Sequence, residues 1–132
     1  MKKKKNITIF LAEDEPDLRE MYTWMLTQEG FKVITAENGE EVKSKLKESY
    51  EEIKLILMDI VMPKMDGFDA LKKIKRDSKL KNIPVLMLTS LSDPDDREEA
   101  LSSGAERYLV KPLLTPRQLV NEIVDVLEML KK

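Results

Sequence analysis

Five short apolar runs punctuate the chain, at residues 7–11, 32–35, 53–58, 85–89 and 108–110. They lack the strict alternation of a half-exposed strand and read as strands buried on both faces. The stretches between them carry apolar residues at helical spacing. Pro16 suits the first turn of a helix, and Leu18, Met21, Tyr22, Met25 and Leu26 form an apolar stripe that stops before Gly30, a natural C-terminal cap. A second helix is expected to start near Asn38-Gly39 and to present Val42 and Leu46. A third follows Asp66-Gly67 with Phe68, Leu71 and Ile74, and a fourth covers about 95–103 and ends at Gly104. The last helix has the clearest start, because Thr115 can cap it and Pro116 is preorganised for its first position, after which Leu119, Ile123, Val126, Leu127 and Leu130 recur. Burying those side chains contributes roughly 1.5–3 kcal/mol each before entropy is subtracted.

Strand and helix in strict alternation predict an α/β fold: a parallel five-stranded sheet with right-handed crossovers and helices on both faces. At 132 residues the chain fits one domain, read as 1–132 with a basic N-terminal tail at 1–5. Charged residues make up 36% of it, yet 23 Lys+Arg and 25 Asp+Glu nearly cancel, so no overall field points to direct nucleic-acid binding or to an anionic membrane. There is no His and no Cys, which removes thiolate chemistry, disulfides, zinc fingers, His-based triads and any histidine of its own that carries a phosphoryl group. The apolar stretch after Lys2–Lys5 is too short for a signal peptide or a membrane span and ends at Glu13-Asp14, so the expected location is cytoplasmic.

Ligands of such a sheet bind outside the carboxyl ends of its strands. Strand one ends in Glu13-Asp14, strand three in Asp59, strand four in Thr89-Ser90 and strand five in Lys111-Pro112. Carboxylates converging without a counter-charge repel and raise one another's pKa, so this set calls for a cation. Mg²⁺ suits it, since it takes oxygen ligands and needs only one or two direct carboxylates beside waters and phosphate oxygens. A carboxylate can also attack a phosphoryl group to give an aspartyl-phosphate. Lys111 and the metal would neutralise the transferred group, and Thr89 would hydrogen-bond it.

Each residue alone has a plainer explanation. Asp59 can be a helix cap or a loop solvator, Glu13-Asp14 can cap the first helix, and Thr89 is a good strand former. Lys111 can be a surface lysine, and Tyr108 a half-buried core aromatic with its hydroxyl in water. The acidic run at 93–99 reads as a solvated helix start with no chemistry. The joint placement at strand ends is what favours a site.

The segments Ile7-Thr8-Ile9-Phe10-Leu11-Ala12-Glu13-Asp14-Glu15, Leu57-Met58-Asp59-Ile60-Val61-Met62-Pro63-Lys64-Met65-Asp66-Gly67, Met87-Leu88-Thr89-Ser90 and Tyr108-Leu109-Val110-Lys111-Pro112 closely resemble response-regulator receiver domains, over nearly the whole chain. The resemblance implies a flavodoxin-like, doubly wound (βα)5 fold with strand order 2-1-3-4-5. It implies a two-component switch in which Asp59 is the phosphoacceptor, Asp14 a direct Mg²⁺ ligand, Glu13 a ligand through water, and Val61 a ligand through its backbone carbonyl. Mn²⁺ is an expected substitute. Lys111 pairs with Asp59 or its phosphoryl group, the Lys111-Pro112 bond is expected to be cis, and Thr89 and Tyr108 form the switch pair. Val61 and Leu91 occupy the positions that tune dephosphorylation. The implied partners are a sensor histidine kinase or phosphotransfer protein and a downstream protein that binds the face of helix four, strand five and helix five. Two positions depart from the common pattern: Glu13 replaces the frequent Asp, and Ser90 stands where a small Ala is usual. A phosphohydrolase with an aspartyl-phosphate intermediate is the enzymatic alternative, but it carries a second Asp two residues after the nucleophile, where this chain has Val61. A pseudo-receiver that works without phosphorylation is the binding-module alternative, expected to lack one of the acidic, Thr or Lys positions.

Overall fold

A computed structural model describes residues 7–130, and the basic tail expected at 1–5 lies outside them. In chain order the elements are β1 (Thr8–Ala12), α1 (Pro16–Gln28), β2 (Lys32–Ala36), α2 (Gly39–Ser49), β3 (Ile53–Met58), β4 (Val61–Met62), β5 (Met65–Asp66), α3 (Gly67–Arg76), β6 (Val85–Thr89), α4 (Pro94–Ser102), β7 (Arg107–Val110) and α5 (Pro116–Met129). Five strands pair in parallel in the order β2-β1-β3-β6-β7, which among the sheet strands alone is 2-1-3-4-5. The doubly wound fold expected from the chain is therefore the fold observed.

The apolar runs separate into two cores because successive strand side chains point to opposite faces. Ile9, Leu11, Leu55, Leu57, Leu86 and Leu88 meet Tyr22, Leu26, Leu119 and Ile123 of α1 and α5. Phe10, Ile56, Met58, Val85 and Met87 meet Val42, Leu46, Leu71 and Ile74 of α2 and α3. Truncating a fully buried member such as Leu57 to Ala costs about 2–5 kcal/mol, lost transfer energy plus the cavity left behind.

The helix starts follow their capping residues. Asn38, Asp66 and Asp93 accept backbone N–H groups at the starts of α2, α3 and α4, and Thr115 with Gln118 closes a reciprocal capping box on α5. Gly30 takes φ 101, the left-handed conformation that ends α1.

Several expectations need correction. Met21 and Leu130, placed in apolar stripes, are 41% and 54% exposed, because the buried face of α1 centres on Tyr22, Met25 and Leu26, and Leu130 lies past the last turn of α5. Val120, passed over in the sequence, is buried instead. The ribbon β4–β5 is too short for any hydrophobic period to announce it. The described residues contain no cis peptide bond, so Lys111-Pro112 is trans. Lys111–Leu113 instead form a 3-10 turn closed by the Leu114 N–H on the Lys111 carbonyl at 3.3 Å, and the fixed φ of a trans proline suits the start of a helical turn.

Candidate functional site

The register of the central strands builds the site. Ala12 of β1 lies opposite Met58 of β3, so the residues that follow them, Glu13 and Asp59, leave the sheet side by side at its carboxyl edge. The Asp59 N–H donates to the Ala12 carbonyl at 3.2 Å and the Glu13 N–H to Ala36 at 3.0 Å, which ties both turns to neighbouring strands. Glu13, Asp14 and Asp59 each present an oxygen within 4.8 Å of the others. Glu13 and Asp59 are buried, and Asp14 is only partly so.

Lys111 reaches this group from the end of β7, two strands beyond β3. Its ammonium lies 2.7 Å from Glu13 Oε1 and 2.8 Å from Asp59 Oδ2. Burial works against the lysine charge, but the hydrogen bonds to Asp59 and Glu13 outweigh it and hold its pKa above the ordinary lysine value. Burial pushes the Glu13 carboxyl up, against the pull of the Lys111 ammonium. A buried ion cluster of this kind is weak as a source of stability, and removing one member leaves the others uncompensated.

The second oxygen of Asp59, Oδ1, accepts the Ile60 N–H at 2.7 Å and the Val61 N–H at 3.4 Å. The chain then turns through the β4–β5 ribbon and comes back onto itself at Gly67, whose N–H donates to the Ile60 carbonyl at 2.7 Å. A Cβ on Gly67 would stand 2.4 Å from Ile60 Cα and 2.8 Å from the Asp59 carbonyl, so only glycine lets α3 begin against the backbone that carries Asp59. Sequence reading saw Gly67 only as a helix start. It also missed Arg19, whose guanidinium donates to the carbonyls of Glu13 at 2.9 Å and Asp14 at 3.2 Å and pairs with Glu37 at 3.3 Å. No motif marks Arg19; its one signal is its position, one turn into the helix that the acidic turn opens.

On the far side, Thr89 ends β6 fully buried, and its hydroxyl oxygen accepts the Leu91 N–H at 3.3 Å. Tyr108 is 7% exposed, and its hydroxyl donates to the Leu91 carbonyl at 2.9 Å. The loop after β6 thus supplies the hydroxyl with an acceptor. Burial, then the charges of Asp96, Asp59 and Asp93, push the phenol up to about 12. Val61 is 62% exposed beside Asp59, and Leu91 is partly buried.

The site is an open strand edge. A surface groove runs between α2 and α3, past Leu46, Tyr50, Ile74 and Lys79, and none of Glu13, Asp14, Asp59, Thr89 or Lys111 lines it. The acidic group offers only oxygen donors, with one member open to water, and this donor set fits a small hard cation. No helix among the described residues is long and apolar enough to cross a membrane.

Comparison with known proteins agrees with this geometry. The family described as "Response regulator receiver domain" matches residues 9–124. The chain is 41% identical over 119 residues to a protein of Haemophilus influenzae named as a transcriptional regulatory protein CpxR homolog, covering 90% of this chain and 49% of that one. It is 37% identical to the phosphate regulon transcriptional regulatory protein PhoB of Escherichia coli, over 90% of this chain and 51% of that one. The chain thus spans about half the length of these curated relatives. Among solved structures, the chemotaxis response regulator CheY4 of Vibrio cholerae superposes with a TM-score of 0.83 at 31% identity, over 91% of this chain and 98% of that one. A response regulator receiver domain from Clostridium thermocellum does so with a TM-score of 0.86 at 29% identity, over 95% and 97%. Strand order, the acidic edge and these matches converge: the chain belongs to the response-regulator receiver domains of two-component signal transduction.

Proposed function

We propose that this chain, as one receiver domain, takes a phosphoryl group onto Asp59 from the phosphohistidine of a sensor kinase or phosphotransfer protein. The observation that carries the reading is the Asp59 carboxylate itself: 6% exposed, 2.8 Å from the Lys111 ammonium, and within 4.8 Å of oxygens from Glu13 and Asp14. An Asp59 oxygen attacks phosphorus, the new P–O bond forms as the P–N bond to the partner's imidazole breaks, and the imidazole leaves with the electron pair. Positioning and charge neutralisation supply most of the catalysis in such a transfer.

Asp14 and Asp59 would hold Mg²⁺, with Glu13 acting through water and Val61 through its carbonyl; Mn²⁺ has compatible oxygen chemistry. Bound there, the ion supplies positive charge for the transferred group. Lys111 supplies the same from the protein side, and the Thr89 hydroxyl donates to the new phosphoryl oxygen.

The added group carries roughly −1.5 to −2 charges. That charge draws Thr89, and through Leu91 and Tyr108 it biases the surface formed by α4, β7 and α5, where a downstream protein docks. The protein is a switch that catalyses its own phosphorylation and dephosphorylation rather than a metabolic enzyme. It works in the cytoplasm, without contacting nucleic acid or membrane itself.

Acetyl phosphate with Mg²⁺, followed by intact-mass measurement, tests the acceptor. The parent chain gains one phosphoryl group and Asp59→Asn gains none. Equal uptake by the variant would overturn the assignment.

A further inference from the structure

Both oxygens of the Glu13 carboxylate are committed within the protein. Oε1 lies 2.7 Å from Lys111 Nζ, and Oε2 accepts the Glu15 N–H at 3.1 Å. The backbone on either side is held as well, since the Glu13 N–H donates to Ala36 at 3.0 Å and its carbonyl accepts Arg19 Nη1 at 2.9 Å. The residue is 1% exposed, so this arrangement is shielded from bulk solvent. Lys111 is the opposite case: a compact charge on a flexible four-carbon stem that crosses two strands to reach the site. Its other anchor is Asp59 Oδ2 at 2.8 Å, the carboxylate that must turn toward an incoming phosphorus.

We infer that Glu13 is a positioning residue for Lys111, a fixed anionic tether that keeps the ammonium at the reaction centre while Asp59 changes partners. The inference rests on the phosphoacceptor reading of Asp59 and adds to it a division of labour between the two adjacent acids. Asp14, the partly exposed member, faces the cation, whereas Glu13 chiefly serves the lysine. The reach of the side chain matters: an aspartate at this position is one carbon shorter and would stop about 1.5 Å short of the ammonium along the same direction. The tether also has a second anchor, because the Glu15 N–H holds the other carboxylate oxygen, Oε2, at 3.1 Å.

A double-mutant cycle tests this. Initial rates of phosphorylation by acetyl phosphate are measured at saturating Mg²⁺ for the parent, Glu13→Gln, Lys111→Met and the double variant. A tether predicts that Glu13→Gln slows the reaction by about ten-fold or more, the order expected when a reacting group is misplaced. The double variant then reacts within about two-fold of Lys111→Met alone, since a tether with nothing to hold has no further effect. A double variant slowed by the full product of the two single effects overturns the inference, as does a Glu13→Gln rate equal to the parent's. Independently of turnover, the side-chain ammonium of Lys111 in ¹⁵N-lysine-labelled protein gives a slowly exchanging NMR signal in the parent and loses it in Glu13→Gln. Its persistence in the variant overturns the tether. A parent chain that takes up no phosphoryl group sinks the phosphoacceptor reading instead, and the ammonium comparison still decides the tether.

Discussion

The hydroxyl of Tyr108 donates to the backbone carbonyl of Leu91 at 2.9 Å, which ties β7 to the loop that leads from β6 into α4. The same residue, Leu91, donates its N–H to the Thr89 hydroxyl oxygen at 3.3 Å. One loop residue therefore stands between Thr89 and Tyr108, held by each through a different backbone group.

The burial of the Tyr108 phenol has a pH signature. The phenol is raised from 10.0 to about 12, so the folded state keeps a proton that the unfolded chain loses. Its contribution to stability is fully present below pH 10 and is lost as pH rises from 10 toward about 12. Tyrosinate absorbance during an alkaline titration should show late components from Tyr108 and from Tyr22, whose phenol burial also raises, and Tyr108→Phe should remove one of them. That variant should lose about 0.5–1.5 kcal/mol of stability near neutral pH, the net worth of one hydrogen bond. A Tyr108 phenol that titrates at the ordinary tyrosine value would show that the ring is not buried in solution.

Metal affinity should separate the two neighbouring acids. Titration calorimetry is expected to show that Asp14→Asn and Asp59→Asn weaken Mg²⁺ binding more than Glu13→Gln does, since a direct ligand matters more than one acting through water. Mg²⁺ at about one hundred times its dissociation constant should stabilise the parent by about 2.7 kcal/mol, and chelation should remove that gain. A larger loss in Glu13→Gln than in Asp14→Asn would reverse the ligand order.

The lifetime of the phosphorylated state should depend on Val61 and Leu91. Both are apolar, so neither orients an attacking water, and autodephosphorylation is expected to be slow. Val61 is 62% exposed, so a polar side chain there meets solvent at little structural cost. Combining Val61→Asn with Leu91→Glu should speed phosphate loss by about ten-fold or more, the low side of what a positioned proton acceptor contributes. An unchanged decay rate would refute the role.

Thr89 should carry only part of the signal. Moving an equilibrium from 1:99 to 99:1 takes about 5.5 kcal/mol, while one hydrogen bond to a charged group gives about 1.5–3 kcal/mol. The switch is therefore expected to be incomplete, with the free protein already sampling the active form. Beryllofluoride with Mg²⁺, standing in for the phosphoryl group, should shift amide NMR signals from Thr89 through Tyr108 to Lys111 and across α4. Thr89→Ala should shrink the remote shifts and leave Mg²⁺ binding largely intact. Remote shifts that survive unaltered in the variant would rule out this route.

Local order was open to inspection in the chain itself. The buried strands, the helix starts at Asn38, Asp66 and Thr115, and the turn at Gly30 all express propensities and periods that act over a few residues, and each forms where expected. The acidic, hydroxyl and lysine residues could be picked out as strand-end groups for the same reason: a parallel sheet exposes its carboxyl edge whatever else surrounds it. What no local signal carries is the set of contacts between distant residues. Lys111 meets Asp59 across 52 positions, and it also meets Glu13 only because β1, β3 and β7 lie in one sheet in a particular order and register. The Tyr108 hydroxyl found the Leu91 carbonyl seventeen positions away, and Met21 turned outward because α1 seats Tyr22 and Leu26. Arg19 and Gly67 gain their roles from the same source, since a guanidinium that gathers carbonyls and a backbone pressed against another backbone exist only after the chain has closed on itself.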